Sequence, residues 1–242
     1  MDLAVFVMVG WILSLCLHEF CHALVAYLGG DTTVKEKGYL TLNPLRYTDA
    51  RMTLILPAIM LAMGGIALPG AAVYINTANL RNRFWDSLVS LAGPVGSIIA
   101  TYLLAIPFLL QLDLSSISWM KPALAVLIDL ECAGIMLNLL PFPPLDGFGI
   151  IEPWLPKSVR QSARQFGGAG LFIVFGIFWF VQPANQLLWD TADGLAVNVF
   201  HAPRSGIGRG YRMFREQSMV LIVLAILLAI LLQPTAPKAP KA

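Results

Sequence analysis

Long uncharged runs separated by short polar connections set the pattern of this chain. A helix that crosses a bilayer needs about 20 consecutive apolar residues, and by that measure the runs predict about six spans. The first extends from Leu3 to Leu28 and is interrupted by His18, Glu19 and His22. A polar connection follows, Gly29 to Arg51, whose alternating piece Tyr39-Leu40-Thr41-Leu42 predicts a small hairpin or an extended edge. Met52 to Leu80 carries no charge but is broken by Gly64-Gly65 and Pro69-Gly70, so its C-terminal part is expected to leave the helix or re-enter. Ser87 to Leu112, Pro122 to Leu140, Gln165 to Val181 and Gln217 to Leu232 supply the remaining spans. Between the last two, Gln182 to Arg215 mixes aspartates and arginines with apolar residues and reads as interfacial, with Trp179 and Trp189 suited to a headgroup belt.

Composition agrees with the pattern. Of 242 residues, 57% are hydrophobic and 12% charged, and mean hydropathy is +0.73. An ordinary soluble domain has about 25% charged residues, so neither a soluble globule nor a disordered chain is compatible with these values. A net charge of +2 argues against a nucleic-acid partner. Cys16, Cys21 and Cys132 all lie in apolar runs and read as buried packing thiols rather than a disulfide framework. The start Met1-Asp2-Leu3 lacks the positive region of a signal peptide, so the first apolar segment is expected to stay in the mature protein. Lys and Arg divide too evenly between the two sides for the positive-inside rule to give an orientation.

The ionisable residues inside the spans carry the chemistry, because an acid at a span centre costs about 2.5–3.5 kcal/mol to insert. His18-Glu19-Phe20-Cys21-His22 is an H-E-x-x-H pattern. On a helix the two histidines, four apart, share a face and can both reach one Zn²⁺, with Glu19 about a quarter-turn away as base toward a water activated by the metal. Gly10, Ser14, His18, His22 and Ala26 form one stripe of small and polar residues that would admit another span closely. A catalytic zinc usually takes three protein ligands, which leaves a third to find among Asp129, Glu131 and Asp146. Asp146 follows Pro141, Pro143 and Pro144, which must end or distort the helix. Broken backbone at membrane depth is tolerated where protein or a watery cavity surrounds it, and a carboxylate there is placed as a ligand would be. Glu131, two turns before Asn138, shares its face and reads either as part of a water path or as a packed acid.

H-E-x-x-H followed far downstream by Asn138-Leu-Leu-Pro141-Phe-Pro143-Pro144-Leu-Asp146-Gly147 resembles the site-2 protease family of intramembrane zinc metalloproteases. Leu42-Asn43-Pro44-Leu45-Arg46 and Leu91-Ala92-Gly93-Pro94 resemble the family's short members without a PDZ domain. The resemblance implies His18, His22 and Asp146 as zinc ligands and Glu19 as general base. It implies that Asn138 steadies the oxyanion or the substrate backbone, and that Asn43 helps to clamp substrate in extended form. Two positions depart from the family's pattern: Tyr47 stands where many relatives have His, and Ser97 where Asn is common.

The fold class predicted is an all-α integral membrane bundle of about six spans, with a re-entrant or small β element after the first. Residues 1–152 are expected to form the metalloprotease core, 153–232 an interfacial and transmembrane extension, and 233–242 a flexible tail. The expected function is hydrolysis of peptide bonds in or near transmembrane segments of other proteins, with one Zn²⁺ per chain. The expected surroundings are the lipid bilayer, the cytoplasmic membrane if the source is bacterial. The alternatives are a catalytically silent zinc-binding scaffold and a metal transporter. If every segment crossed fully, the C-terminal half of the first span and the exit of the fourth would lie on opposite sides, where no shared site could form.

Overall fold

The computed structural model describes residues 2–46 and 73–231. Eight α-helices lie within them: α1 Asp2–Gly29, α2 Thr33–Glu36, α3 Arg83–Leu109, α4 Met120–Asn138, α5 Asp146–Ile151, α6 Lys157–Phe180, α7 Gln182–Asn198 and α8 Arg204–Leu231. Short 3₁₀ turns occupy Pro44–Arg46, Thr77–Asn79 and Glu152–Trp154. Among the described residues there is no strand. The hairpin expected at Tyr39 to Leu42 is therefore corrected. Gly38, at φ +75°, ends the turn that follows α2, and the Tyr39 amide donates back to Val34 O at 3.0 Å. With the Tyr39 side chain buried against the end of α1, no second edge lies beside this piece for it to pair with among the described residues.

Among the described residues two helices, α1 and α3, are long and apolar enough to cross a membrane. The second half of α6 and α7 pass the same test only as a pair, and they are bent by 89° at Val181. Two such helices, or three with the bent pair, are fewer than the six spans expected. The shortfall has three sources. Most of the second expected span lies at 47–72, outside the described residues, α4 carries Lys121, Asp129 and Glu131, and most of the last expected span lies at 218–231 of α8, where only the backbone is described. The outward faces of the long helices are apolar: Val9, Leu13 and Leu28 of α1 and Ile99 and Leu103 of α3 are all exposed. A polar rim would be expected there in water; an apolar one suits lipid.

Several boundaries move relative to the sequence pattern. The Asn82 side chain accepts from the amides of Phe84 and Trp85, so α3 starts at Arg83 rather than Ser87. The last helix, α8, starts at Arg204, so its arginines occupy its first turns rather than a separate connection. The interfacial stretch from Gln182 is itself helical and buries Leu188, Ala192 and Ala196.

Helix α1 ends in a Schellman motif, in which Gly30 at φ +120° lets its amide reach Tyr27 O and the Asp31 amide reach Ala26 O. A side chain at Gly30 would also meet Asn79 O at 2.7 Å. The chain is back beside this end at Arg81, whose amide donates to Gly29 O at 3.0 Å. Asp31, fully buried, fixes the junction by accepting from Thr33, from the Asn76 amide at 2.7 Å and from the Asn79 amide group.

The central element is α4, buried continuously from Pro122 to Ala133 and apolar nearly all round, as a helix enclosed by neighbours must be. Leu3, Val7 and Trp11 of α1 pack on its Val126, Leu127 and Leu130. Ala192 and Ala196 of α7 and Ile207 of α8 cover Ala125 and Ile128 on another side. Gly206 and Gly210 bring α8 against Ala125 and the Pro122 carbonyl. Asp129 is buried here and accepts from the Tyr211 hydroxyl at 2.8 Å, which takes it away from the zinc candidates.

Contacts along the helices give their directions. His22 meets Val89 while His18 meets Ser97, so α3 runs antiparallel to α1. Gly10 meets Leu127, Trp11 meets Gly134, and His18 shares a cavity with Asn138, so α4 runs parallel to α1. The C-terminal half of α1 and the exit of α4 therefore lie at the same end of the bundle. The opposition expected from uniform crossings does not arise, and one site can draw on both.

Candidate metal centre and active site

His18 and His22 both project from α1 toward α3, and each imidazole is held by its Nδ1. His22 Nδ1 lies 2.6 Å from Val89 O, and His18 Nδ1 lies 2.9 Å from Ser97 Oγ. A carbonyl oxygen can only accept, so the His22 proton is on Nδ1 and the neutral ring presents its Nε2 lone pair inward. Ser97 Oγ, which both donates and accepts, takes the acceptor role when His18 presents its own Nε2 lone pair inward. The two Nε2 atoms come within 3.0 Å of one another.

Asp146 arrives from the other half of the chain. Helix α4 stops at Asn138, and Pro141, Pro143 and Pro144 prevent it from continuing. The chain then reverses into α5, with Asp146 in its first turn. Gly147 makes this reversal possible, because a Cβ there would overlap Leu139 O and lie 2.6 Å from Leu140 O. Helix α3 is the platform on which α5 rests. Ser87 Oγ donates to Ile150 O at 2.7 Å, Trp154 Nε1 donates to Ser87 Oγ, and Gly149 presses on Ser90. The same helix thus orients both histidines and seats the segment that carries the aspartate.

The result is a compact set of three ligand atoms within 4.8 Å of one another. His18 Nε2 lies 3.1 Å from Asp146 Oδ2, and His22 Nε2 lies 3.3 Å from Asp146 Oδ1. Zinc bonds of about 2.0–2.1 Å in tetrahedral geometry set ligands about 3.3 Å apart, close to the separations here. Two further observations fit a cation. Asp146 Oδ2 is buried without a hydrogen-bond partner despite its proximity to His18, and inward-facing lone pairs beside a carboxylate need positive charge between them. Gly93 of α3 faces the same point: a Cβ there would overlap His22 Nε2 and stand 2.5 Å from His18 Nε2. The donor set and the space both suit a zinc ion.

Glu19 is buried on the neighbouring part of the α1 surface, and its Oε2 accepts from the Val73 amide at 3.0 Å. Asn138 lines a cavity of about 30 Å³ together with His18, Ser97, Trp11 and Glu131. On the other side of Asp146, a cleft of about 290 Å³ opens between Ser90, Pro144, Phe148 and Glu152. Asn43 is exposed before the 3₁₀ turn and is not part of the histidine–aspartate cluster. Tyr47 lies outside the described residues. The three cysteines form no disulfide with one another, and Cys16 and Cys132 are buried.

Sequence reasoning missed the groups that orient the site. Ser97 stood out only as a departure from a family pattern, and Val89 acts through its backbone, which no side-chain pattern reveals. Gly93 was visible beside Pro94, but its role depends on what faces it.

Similarity to known proteins runs through most of the chain. A protein of Mycolicibacterium smegmatis named "Putative zinc metalloprotease Rip2" is 42% identical over 196 residues, covering 77% of this chain and 71% of the relative. The protein of the same name in Mycobacterium tuberculosis is 44% identical over 177 residues, covering 71% of this chain and 67% of the relative. "Putative zinc metalloprotease YwhC" of Bacillus subtilis is 32% identical over 196 residues, covering 78% of this chain and 86% of the relative. The chain belongs to the site-2 protease family. No protein-family model and no solved structure matches it. As a site-2 protease family member, it has its H-E-x-x-H helix and its L-D-G turn at one end of a shared bundle.

Proposed function

We propose that this chain is an integral membrane zinc metalloprotease that hydrolyses peptide bonds in or near transmembrane segments of other membrane proteins. The reading rests above all on the convergence of His18, His22 and Asp146, 128 positions apart at the extremes, around a point that Gly93 leaves free. In this reading His18, His22 and Asp146 hold one zinc ion, and residues 1–152 are the catalytic core. Residues 153–232 are a membrane-associated extension, 233–242 a tail, and the protein is multi-pass with about six spans. In a bacterium it would reside in the cytoplasmic membrane.

Zinc bound here supplies Lewis acidity toward a carbonyl and toward water. The protein's own groups do the rest. Val89 O and Ser97 Oγ keep the imidazoles in the ligating tautomer and rotamer. Glu19, held by the Val73 amide, takes the proton from the attacking water and returns it to the leaving amine. A substrate helix hides its amides in i→i−4 bonds and must unwind to be cut. The cleft beside Asp146 offers space for an unwound segment. Asn138 and Asn43, which stand at the asparagine positions of the family motifs, would bond its freed backbone groups.

The test is cleavage of transmembrane peptides in proteoliposomes by the zinc-loaded protein and by Glu19→Gln. Turnover by the unaltered chain and none by a variant that still binds zinc is expected. An active Glu19→Gln protein would refute the mechanism, and an inactive zinc-bound wild type would leave a scaffold.

A further inference from the structure

The cavity beside His18 has room for little more than water. At about 30 Å³ it exceeds the roughly 10–15 Å³ that one water needs and is too small for a substrate side chain. Its lining is nevertheless polar at Trp11, His18, Ser97, Glu131 and Asn138. Trp11 Nε1 and Glu131 Oε1 are both buried without a partner, and Ser97 Oγ meets His18 Nδ1. Two orphaned polar atoms on different helices, both on residues that line one small cavity, are unusual, because each costs about 1–3 kcal/mol if left unsatisfied.

We propose that Trp11 and Glu131 bind a structural water in this cavity, and that the water links Glu131 to His18 through Ser97. The hydrogen bonds close without a conflict. His18 Nδ1–H donates to Ser97 Oγ, the Ser97 hydroxyl donates to the water, the Trp11 indole N–H donates to it as well, and the water donates to Glu131 Oε1. Three bonds are what a buried water usually makes. Ser14, one turn before His18, hydrogen-bonds the Glu131 carboxylate. Glu131 is thus a positioning residue: it supplies the carboxylate that commonly stands behind a metal-binding histidine, here one serine and one water removed. The inference rests on the zinc reading above.

The test is a double-mutant cycle in the full chain, purified in detergent, reading zinc affinity by chelator competition. Exchange of the His18 Nδ1 proton is read in parallel by NMR of ¹⁵N-histidine-labelled, zinc-loaded protein. Glu131→Leu and Ser97→Ala are each expected to weaken zinc about tenfold and to speed that exchange. Glu131→Gln, which keeps an acceptor oxygen, is expected to stay within about twofold of wild type. The double variant should be no weaker than either single one, because both break the same chain of bonds. If Glu131→Leu does not fold, Trp11→Phe takes its place in the cycle with the same expectation. Wild-type affinity and exchange in Glu131→Leu, or losses that multiply in the double variant, would overturn the relay. Wild type without any zinc affinity would overturn both the relay and the protease reading, whereas zinc in wild type with a multiplicative cycle overturns the relay alone.

Discussion

Gly93→Ala isolates the space between the histidines from everything else in the protein. The substitution adds one methyl group in the interior of α3, where alanine is favoured over glycine by about 0.8–1.0 kcal/mol of helix propensity. Helix formation alone would therefore make the variant slightly more stable. The methyl carbon, however, would stand 2.5 Å from His18 Nε2 and overlap His22 Nε2, where an ordinary carbon contact is about 3.5 Å or more. Either the imidazoles rotate off Ser97 and Val89 or α3 withdraws by about 1 Å, and overpacking of this kind costs about 1–3 kcal/mol. That strain is greatest when both Nε2 atoms must point at one ion. Zinc affinity is expected to fall about 5- to 150-fold, with the thermal midpoint of the metal-free protein little changed. Chelator competition on the detergent-purified variant reads the first quantity and a melt in the presence of chelator reads the second. A Gly93→Ala protein that holds zinc as tightly as wild type would refute the placement of the metal between these rings.

Gly147→Ala acts on the third ligand instead. Its Cβ overlaps the Leu139 carbonyl, so α5 must shift and carry Asp146 with it; zinc affinity should drop at least tenfold, and an unchanged value by chelator competition would speak against this seating of Asp146. Asp31 gives a pH signature outside the membrane-spanning helices. Burial alone would raise its carboxyl, but hydrogen bonds from Thr33, the Asn76 amide and Asn79 outweigh that effect and hold it below its ordinary value. A depressed carboxyl contributes stability above its unfolded value, near 3.9, and loses it as pH falls through the folded one. Wild type should therefore melt higher than Asp31→Asn at pH 6, with the gap closing below about pH 4; a gap that is constant with pH contradicts the assignment. The same variant should slow turnover, because the Asp31 anchor holds the segment whose Val73 amide bonds Glu19.

The parts of the site that are local in sequence were legible in it. His18 and His22 must share a face if the segment is helical, and a proline-broken exit followed by Asp146 singles out that acid. What the sequence does not carry is direction and partner choice. Nothing in the pattern says that α4 runs parallel to α1, yet this alone brings Asp146 to the histidines. Ser97 and Val89 orient the rings only because α3 lies antiparallel with Gly93 and Gly96 permitting close approach; Gly96 itself faces Cys21. The alternation at Tyr39 to Leu42 misled because a strand needs a partner edge, and the buried Tyr39 ring is explained by packing on α1 instead. The bend between α6 and α7 falls at Val181, where the fifth expected span ends and Pro183 opens the next helix, so the break is legible in the sequence while its angle of 89° is not.

The zinc content of the detergent-purified protein, measured beside Asp146→Ala, tests the central claim most directly. The account predicts about one zinc per wild-type chain, and loss or severe weakening in the variant, because two histidines alone hold the ion poorly. Equal zinc in both proteins would contradict the three-residue site, and no zinc in wild type after incubation with the metal would contradict the metalloprotease reading itself.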